Sequence, residues 1–134
     1  MRTYIFACIH NAGRSQMSAA FFNQLVDPEM ARAISAGTNP DEHVHPVVVD
    51  GMREVGIDLA TAKPQKLTTE LATGAELLVT MGCGEECPYV PGLRRLDWPL
   101  PDPKGRTLDE VRLVRDEIRG RVLELIESEG ILRK

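Results

Sequence analysis

Near its start the chain reads Cys8-Ile9-His10-Asn11-Ala12-Gly13-Arg14-Ser15, a thiol and a guanidinium separated by five residues that include a glycine and an asparagine. These are the parts of an oxyanion site. Backbone N–H groups of a short loop can turn inward as a nest, and a helix start adds unpaired donors and a positive dipole end. The same field favours the thiolate, the nucleophilic form of a cysteine. Arg14 offers a planar fork to two oxygens of a tetrahedral anion. On this reading Cys8 attacks and the segment Ile9, His10, Asn11, Ala12, Gly13, Arg14 and Ser15 binds the anion. Ser15 hydrogen-bonds the thiolate or eases its departure, and Asn11 holds the loop's shape. The plain alternative is a buried cysteine that ends a strand beside an exposed arginine.

Two further thiols lie in Gly82-Cys83-Gly84-Glu85-Glu86-Cys87-Pro88. Four residues of helix rise ~6 Å, near the upper end of the Cα separation a disulfide accepts. Gly82 and Gly84 make bending cheap, so the pair can close. A thiol pair so placed can pass an oxidation outward by thiolate attack on a disulfide sulfur. A zinc site wants four ligands, and beyond this pair only Cys8, His10, His43 and His45 offer, without a second paired motif. No metal and no bound cofactor are expected. His43 and His45 read as structural or surface residues, and His10 as a group that points out of the anion loop and tunes its field.

The elements that must hold these residues follow from the hydrophobic pattern. Thr3–Cys8 is a short buried strand, residues 9–13 a polar loop, and Ser15–Val26 a helix with Met17, Phe21 and Leu25 at four-residue spacing. Arg32–Ser35 is a second strand. Pro46 opens a helix after His45, with Val48, Met52 and Val55 as its stripe and Gly56 as its stop. Thr68–Ala72 reads as a short helix. Glu76–Met81, with Leu77-Leu78-Val79, reads as a fully buried parallel strand, and Arg95–Trp98 as a short one. Thr107 and Glu110 form a capping box for a helix over Leu108–Ser128. Its apolar stripe is Val111, Val114, Ile118, Val122 and Leu125, with Glu117 and Arg121 paired on the wet face. Strands alternating with helices predict an α/β fold, a four-stranded parallel sheet whose strand ends carry the site. Cys8 ends the first strand and Cys83 follows the third, both where that rule puts it.

Composition narrows the class. At 134 residues, with 43% apolar and 27% charged residues, one domain over 1–134 can build its own core without staples. Three cysteines, an odd number, argue against a secreted disulfide framework. Sixteen basic and twenty acidic residues give a net charge of −4, with no run of like charge. Neither a nucleic acid nor an anionic membrane is therefore an expected partner. The apolar run Tyr4–Ile9 is closed by His10 and Asn11, too short for a secretion signal, so a cytoplasmic monomer is expected.

The segment Cys8–Ser18 resembles the phosphate loop of the low-molecular-weight protein tyrosine phosphatase superfamily. Within it, Arg14-Ser15-Gln16-Met17 is more like the arsenate reductases that share that fold. Ser35-Ala36-Gly37-Thr38, Glu54-Val55-Gly56-Ile57-Asp58 and Val79-Thr80-Met81-Gly82-Cys83 resemble arsenate reductase segments too. The resemblance spans essentially the whole chain and implies a single-domain, three-layer sandwich. It also implies a thioredoxin-coupled reduction of arsenate to arsenite. Cys8 would form a thiol-arsenate adduct, Cys83 would attack Cys8 and release arsenite, and Cys87 would attack Cys83. The resulting Cys83–Cys87 disulfide would be re-reduced by thioredoxin, or by a small thiol acting on the Cys8 adduct in its place. The resemblance points to Asp102, before Pro103, as proton donor, with Asp97 as its rival. Two departures stand out: Cys83 and Cys87 are closer together than in the well-known members. Ala19 stands where some members carry a potassium-binding Glu, and no potassium site is carried over. A phosphatase using Cys8, Arg14 and Asp102 is the alternative activity, and a non-catalytic oxyanion-binding or redox-sensing module the alternative class.

Overall fold

In a computed structural model the strand order is β2-β1-β3-β4, all neighbours parallel. The structure describes residues 1–82, 90–103 and 105–134. The strands are β1 (Arg2–Cys8), β2 (Ala31–Gly37), β3 (Leu77–Thr80) and β4 (Arg94–Asp97). The helices are α1 (Arg14–Leu25), α2 (Pro46–Arg53), α3 (Thr69–Ala72) and α4 (Leu108–Glu129). The expected four-stranded parallel sheet and α/β class are both observed.

The apolar run of β1 suits a central strand of a parallel sheet, whose two faces are both covered by other elements. Tyr4 and Phe6 lie opposite Leu77 and Val79 in register and enter one core with α1, α2 and α4. Ile5 and Ala7 face the other way, with Leu78, Leu67 and Ala72 of the α3 region. Helical elements thus cover both faces, unequally. Four of the chain's aromatics lock the larger core: Phe22 stacks at 4.9 Å from Tyr4 and 5.8 Å from Phe6, and Phe6 at 5.7 Å from Trp98. β4, at the sheet edge, is exposed along its length. Its Arg94 and Arg95 discourage edge pairing, and Arg94 binds Glu129 of α4 at 2.6 Å.

α4 matches its expected stripe residue for residue: Val111, Val114, Ile118, Val122 and Leu125 are all buried. The Thr107–Glu110 capping box is formed, and Gly130 in the left-handed conformation ends the helix. The expected α2 stripe needs one correction. Val48 and Met52 are buried, but Val55 lies beyond the helix end at Arg53 and is exposed. A turn takes the chain from Met52 to Ile57, whose N–H donates to the Met52 carbonyl; Gly56 closes this turn and not the helix itself.

Candidate functional site

The loop from Cys8 to Arg14 joins the carboxyl end of β1 to the first turn of α1. Every carbonyl from Cys8 to Gly13 is tied down. Those of Cys8, Ile9, His10 and Ala12 accept from the backbone N–H groups of Thr38 (3.2 Å), Asn39 (2.8 Å), Asp41 (2.9 Å) and His45 (2.9 Å). The Gly13 carbonyl accepts from Met17 N–H at 2.9 Å, and the Asn11 carbonyl from Gln16 Nε2 at 3.0 Å. A trans peptide that turns its C=O outward turns its N–H inward. Segment 38–45 is thus a strap that holds the peptides carrying the N–H groups of residues 9, 10, 11 and 13, while α1 holds those of residues 12 and 14, which leaves these N–H groups for the nest the sequence suggests. α1 adds its own first-turn donors. Gly13 caps it with no side-chain hydrogen bond, and its first turn holds no acidic residue. α4, by contrast, closes its start with a side-chain capping box.

Cys8, buried at 2% exposure, lies at the base of this loop, 2.9 Å from Ser15 Oγ. The direction of that hydrogen bond depends on the protonation of Cys8 and on what else Ser15 binds. The Gln65 backbone N–H can only donate, and it meets Asn11 Oδ1 at 2.9 Å. The other terminal atom of Asn11 is therefore nitrogen, which donates to Ser15 Oγ at 2.8 Å. A hydroxyl oxygen can accept twice, but a Cys8 thiolate can only accept, so against the thiolate it is the Ser15 hydroxyl that donates, the arrangement that stabilises it. Asn11 is fully buried with φ 51°, the left-handed region that asparagine tolerates better than most residues.

Arg14, 6% exposed, closes the ring. Its Nη1 donates to the Leu100 carbonyl at 3.1 Å, and its Nη2 lies 3.7 Å from Asp102 Oδ2. A Cβ on Gly13 would meet Pro103 Cγ at 2.6 Å, so the Asp102–Pro103 loop rests directly on the anion loop. Asp102 stands at the site on a half-exposed side chain. Asp97, the rival, instead accepts from Thr80 Oγ1 at 2.9 Å at the end of β4. His10 turns out of the loop, its Nδ1 3.2 Å from the Asn39 carbonyl and 3.7 Å from Asp41. His45 precedes α2 with Nε2 4.0 Å from Asp41, and His43 is exposed. Among the described residues no cluster of three or more His, Cys, Asp or Glu could hold a metal. Cys83 and Cys87 lie outside the described residues; Gly82, which precedes them, is against Arg14.

Gln16, Gln65, Leu100 and the strap 38–45 were not legible as site residues. Three of these contributions are backbone groups, which no side-chain type announces. Gln16 stands next to Arg14-Ser15 in the first turn of α1; the Arg14-Ser15-Gln16-Met17 resemblance includes it, but only its burial in the structure shows what it holds.

The model of the low molecular weight phosphotyrosine protein phosphatase family matches residues 3–131. A Halobacterium salinarum protein assigned to arsenate reduction is 36% identical over 127 residues, 92% of this chain and 89% of that one. A glutaredoxin arsenate reductase of Synechocystis sp. is 33% identical over 94% of this chain and 97% of its own. The solved thioredoxin-dependent arsenate reductase of Corynebacterium glutamicum superposes with a TM-score of 0.80 at 34% identity. That match takes in 96% of this chain but 61% of the longer neighbour. No helix among the described residues is long and apolar enough to cross a membrane. From the first strand to the last helix, then, this chain belongs to the low molecular weight phosphotyrosine protein phosphatase family.

Proposed function

We propose that the protein is an arsenate reductase, an oxidoreductase in which Cys8 attacks arsenate held in the loop of residues 9–15. The observation that carries this reading is the buried Cys8 beneath a ring of inward N–H groups closed by Arg14, in a chain whose relatives bear that activity in their names. The Cys8 thiolate forms a sulfur–arsenic bond as an oxygen leaves, taking a proton supplied by Asp102. Cys83 then attacks the Cys8 sulfur. The sulfur–arsenic bond breaks, its electron pair passes to arsenic, and arsenite departs from a Cys8–Cys83 disulfide. Cys87 attacks Cys83, frees the Cys8 thiolate and leaves a Cys83–Cys87 disulfide, which a dithiol such as thioredoxin reduces. The names of the relatives support both thioredoxin and glutaredoxin as partner types.

The test is arsenite release in the presence of thioredoxin, thioredoxin reductase and NADPH. Cys8→Ser is expected to release none. Cys83→Ser and Cys87→Ser are expected to stop multiple turnover with thioredoxin. Thioredoxin-driven turnover of Cys87→Ser at the parent rate would defeat the relay. Mass spectrometry after one turnover should find the Cys83–Cys87 bridge.

A second reading has its own observation. Cys8, Arg14 and Asp102 are together at the site, and Pro103 holds the acid loop on Gly13. These are all the groups that a phosphomonoester hydrolase working through a phosphocysteine would need. Hydrolysis of an aryl phosphate that persists in the Cys83→Ser, Cys87→Ser double variant, with no arsenite release by the parent, would favour it.

A further inference from the structure

Of the six carbonyls that form the back of the anion loop, five accept from backbone N–H groups. The sixth, that of Asn11, takes a side chain: the carboxamide of Gln16. We infer that Gln16 is a positioning residue for Cys8, holding Asn11 in its left-handed conformation and so directing the Ser15 hydroxyl at the sulfur.

The geometry is a clamp. Gln16 Nε2 lies 3.0 Å from the Asn11 main-chain oxygen and 3.3 Å from its Oδ1. One donor group thereby spans the backbone and the side chain of the same residue, fixing ψ and χ1 together. Asn11 needs such a hold, because a non-glycine residue keeps a positive φ only where its surroundings determine it. From Asn11 the chain of donors runs in one direction: Asn11 Nδ2 to Ser15 Oγ at 2.8 Å, then Ser15 Oγ to Cys8 Sγ at 2.9 Å. If Asn11 rotates away, Ser15 loses the donor that orients its hydroxyl. Its hydroxyl hydrogen is then free to turn elsewhere, and the thiolate loses a hydrogen bond. Gln16 is 7% exposed and borders a cavity of about 310 Å³ with Asn23, Ser35, Leu59 and Gln65. A water entering there could donate to both Asn11 oxygens, but it would not be anchored to α1 as the Gln16 carboxamide is.

The inference rests on the proposed role of Cys8 as nucleophile, so its test reads Cys8 directly. Cys8 alkylation by iodoacetamide is followed by mass spectrometry across pH, for the parent, Gln16→Met and Gln16→Ala. Methionine fills the space without a donor; alanine removes the side chain. Both are expected to raise the pH of half-maximal alkylation by about half a unit or more, as loss of one bond to a charged group requires. Arsenite release should fall about tenfold through kcat, with KM for arsenate less affected. A folded variant, shown by its melting curve, with the parent's alkylation profile overturns the inference whatever its turnover. Lower melting temperature with an unshifted profile has the same meaning, since a structural role alone predicts it. If the parent releases no arsenite while the profile still shifts, the reductase reading fails and the positioning role stands.

Discussion

Gly82 shows how much one residue can decide. It has φ 90°, and a Cβ added there would meet Arg14 Nη1 at 2.8 Å. As sequence, Gly82 reads as freedom for the thiol segment to bend. In the structure it is the space the guanidinium occupies, where Arg14 also donates to the Leu100 carbonyl. Gly92 is the natural control, with φ 81° and nothing within 4 Å of the same added atom. Gly82→Ala and Gly92→Ala should each cost about 1–2 kcal/mol of stability from the left-handed strain alone. Gly82→Ala alone should also raise KM for arsenate about tenfold, the loss expected when one charged hydrogen-bonding fork is misplaced. Melting curves and KM on both variants separate strain from displacement. An equal rise in KM for Gly92→Ala would remove the special role of Gly82. Cys8, Arg14 and Ser15 are legible as candidates because their side chains declare the chemistry. This role is not, because it depends on a contact between residues far apart in the chain.

Elements were legible where a period or a cap writes them. α4 has both a stripe and a capping box, and its start and its buried face fall where the pattern puts them. The stripe says nothing of Arg115, which is 8% exposed and reaches across to α2, with Nη1 2.9 Å from both the Gly51 carbonyl and Glu54 Oε1. Arg112 binds the other oxygen of the same carboxylate at 2.5 Å. Glu54 thus joins α4 to the end of α2, in a stretch the sequence reading made into helix. The Arg112 hydrogen bond, seconded by Arg115, holds the Glu54 carboxyl at about 2 against an ordinary 4.5. A carboxyl depressed on folding contributes stability that is complete above its unfolded value and is lost as pH falls toward the folded one. Glu54→Gln should therefore lower the melting temperature at neutral pH, and the gap from the parent should close between about pH 4.5 and about 2. A gap that stays constant through that window would show that the ion pair contributes nothing. Thr107→Ala tests the other end of the same packing. Loss of the cap should cost about 1 kcal/mol at neutral pH, and part of that loss should fade in acid, because the Thr107 hydroxyl helps to hold the Glu110 carboxyl below its ordinary value.

At the scale of the whole molecule the site belongs to no single segment. Cys8, the proposed nucleophile, ends β1, the strap 38–45 leaves β2, Gly82 follows β3, and Leu100 and Asp102 come from the chain between β4 and α4. A parallel sheet delivers all of these to one edge because its strands all end on the same side. The alternation of strands and helices makes that convergence legible in the sequence. Which backbone groups meet which carbonyls is set by register and packing, and no residue type encodes it. An anion should consequently bind only the assembled fold, since the unfolded chain has neither the nest nor the orientation of Arg14. Ligand that binds the native state alone stabilises it by RT ln(1 + [L]/Kd), about 2.7 kcal/mol at a hundredfold excess over Kd. For a chain of this length that is a rise of roughly 5–10 °C in melting temperature. Phosphate, which has the tetrahedral shape of arsenate and leaves the thiols reduced, is the probe, with chloride at equal ionic strength as the reference. The parent and Asp102→Asn should show the rise, because the proposed role of Asp102 is to protonate the leaving oxygen and not to hold the ground-state anion. Arg14→Ala should lose most of it, compared as a shift against its own chloride value so that any loss of intrinsic stability cancels. A full phosphate shift in Arg14→Ala would mean that the anion binds elsewhere, and that the loop of residues 8–15 is not the place where this fold gathers its donors.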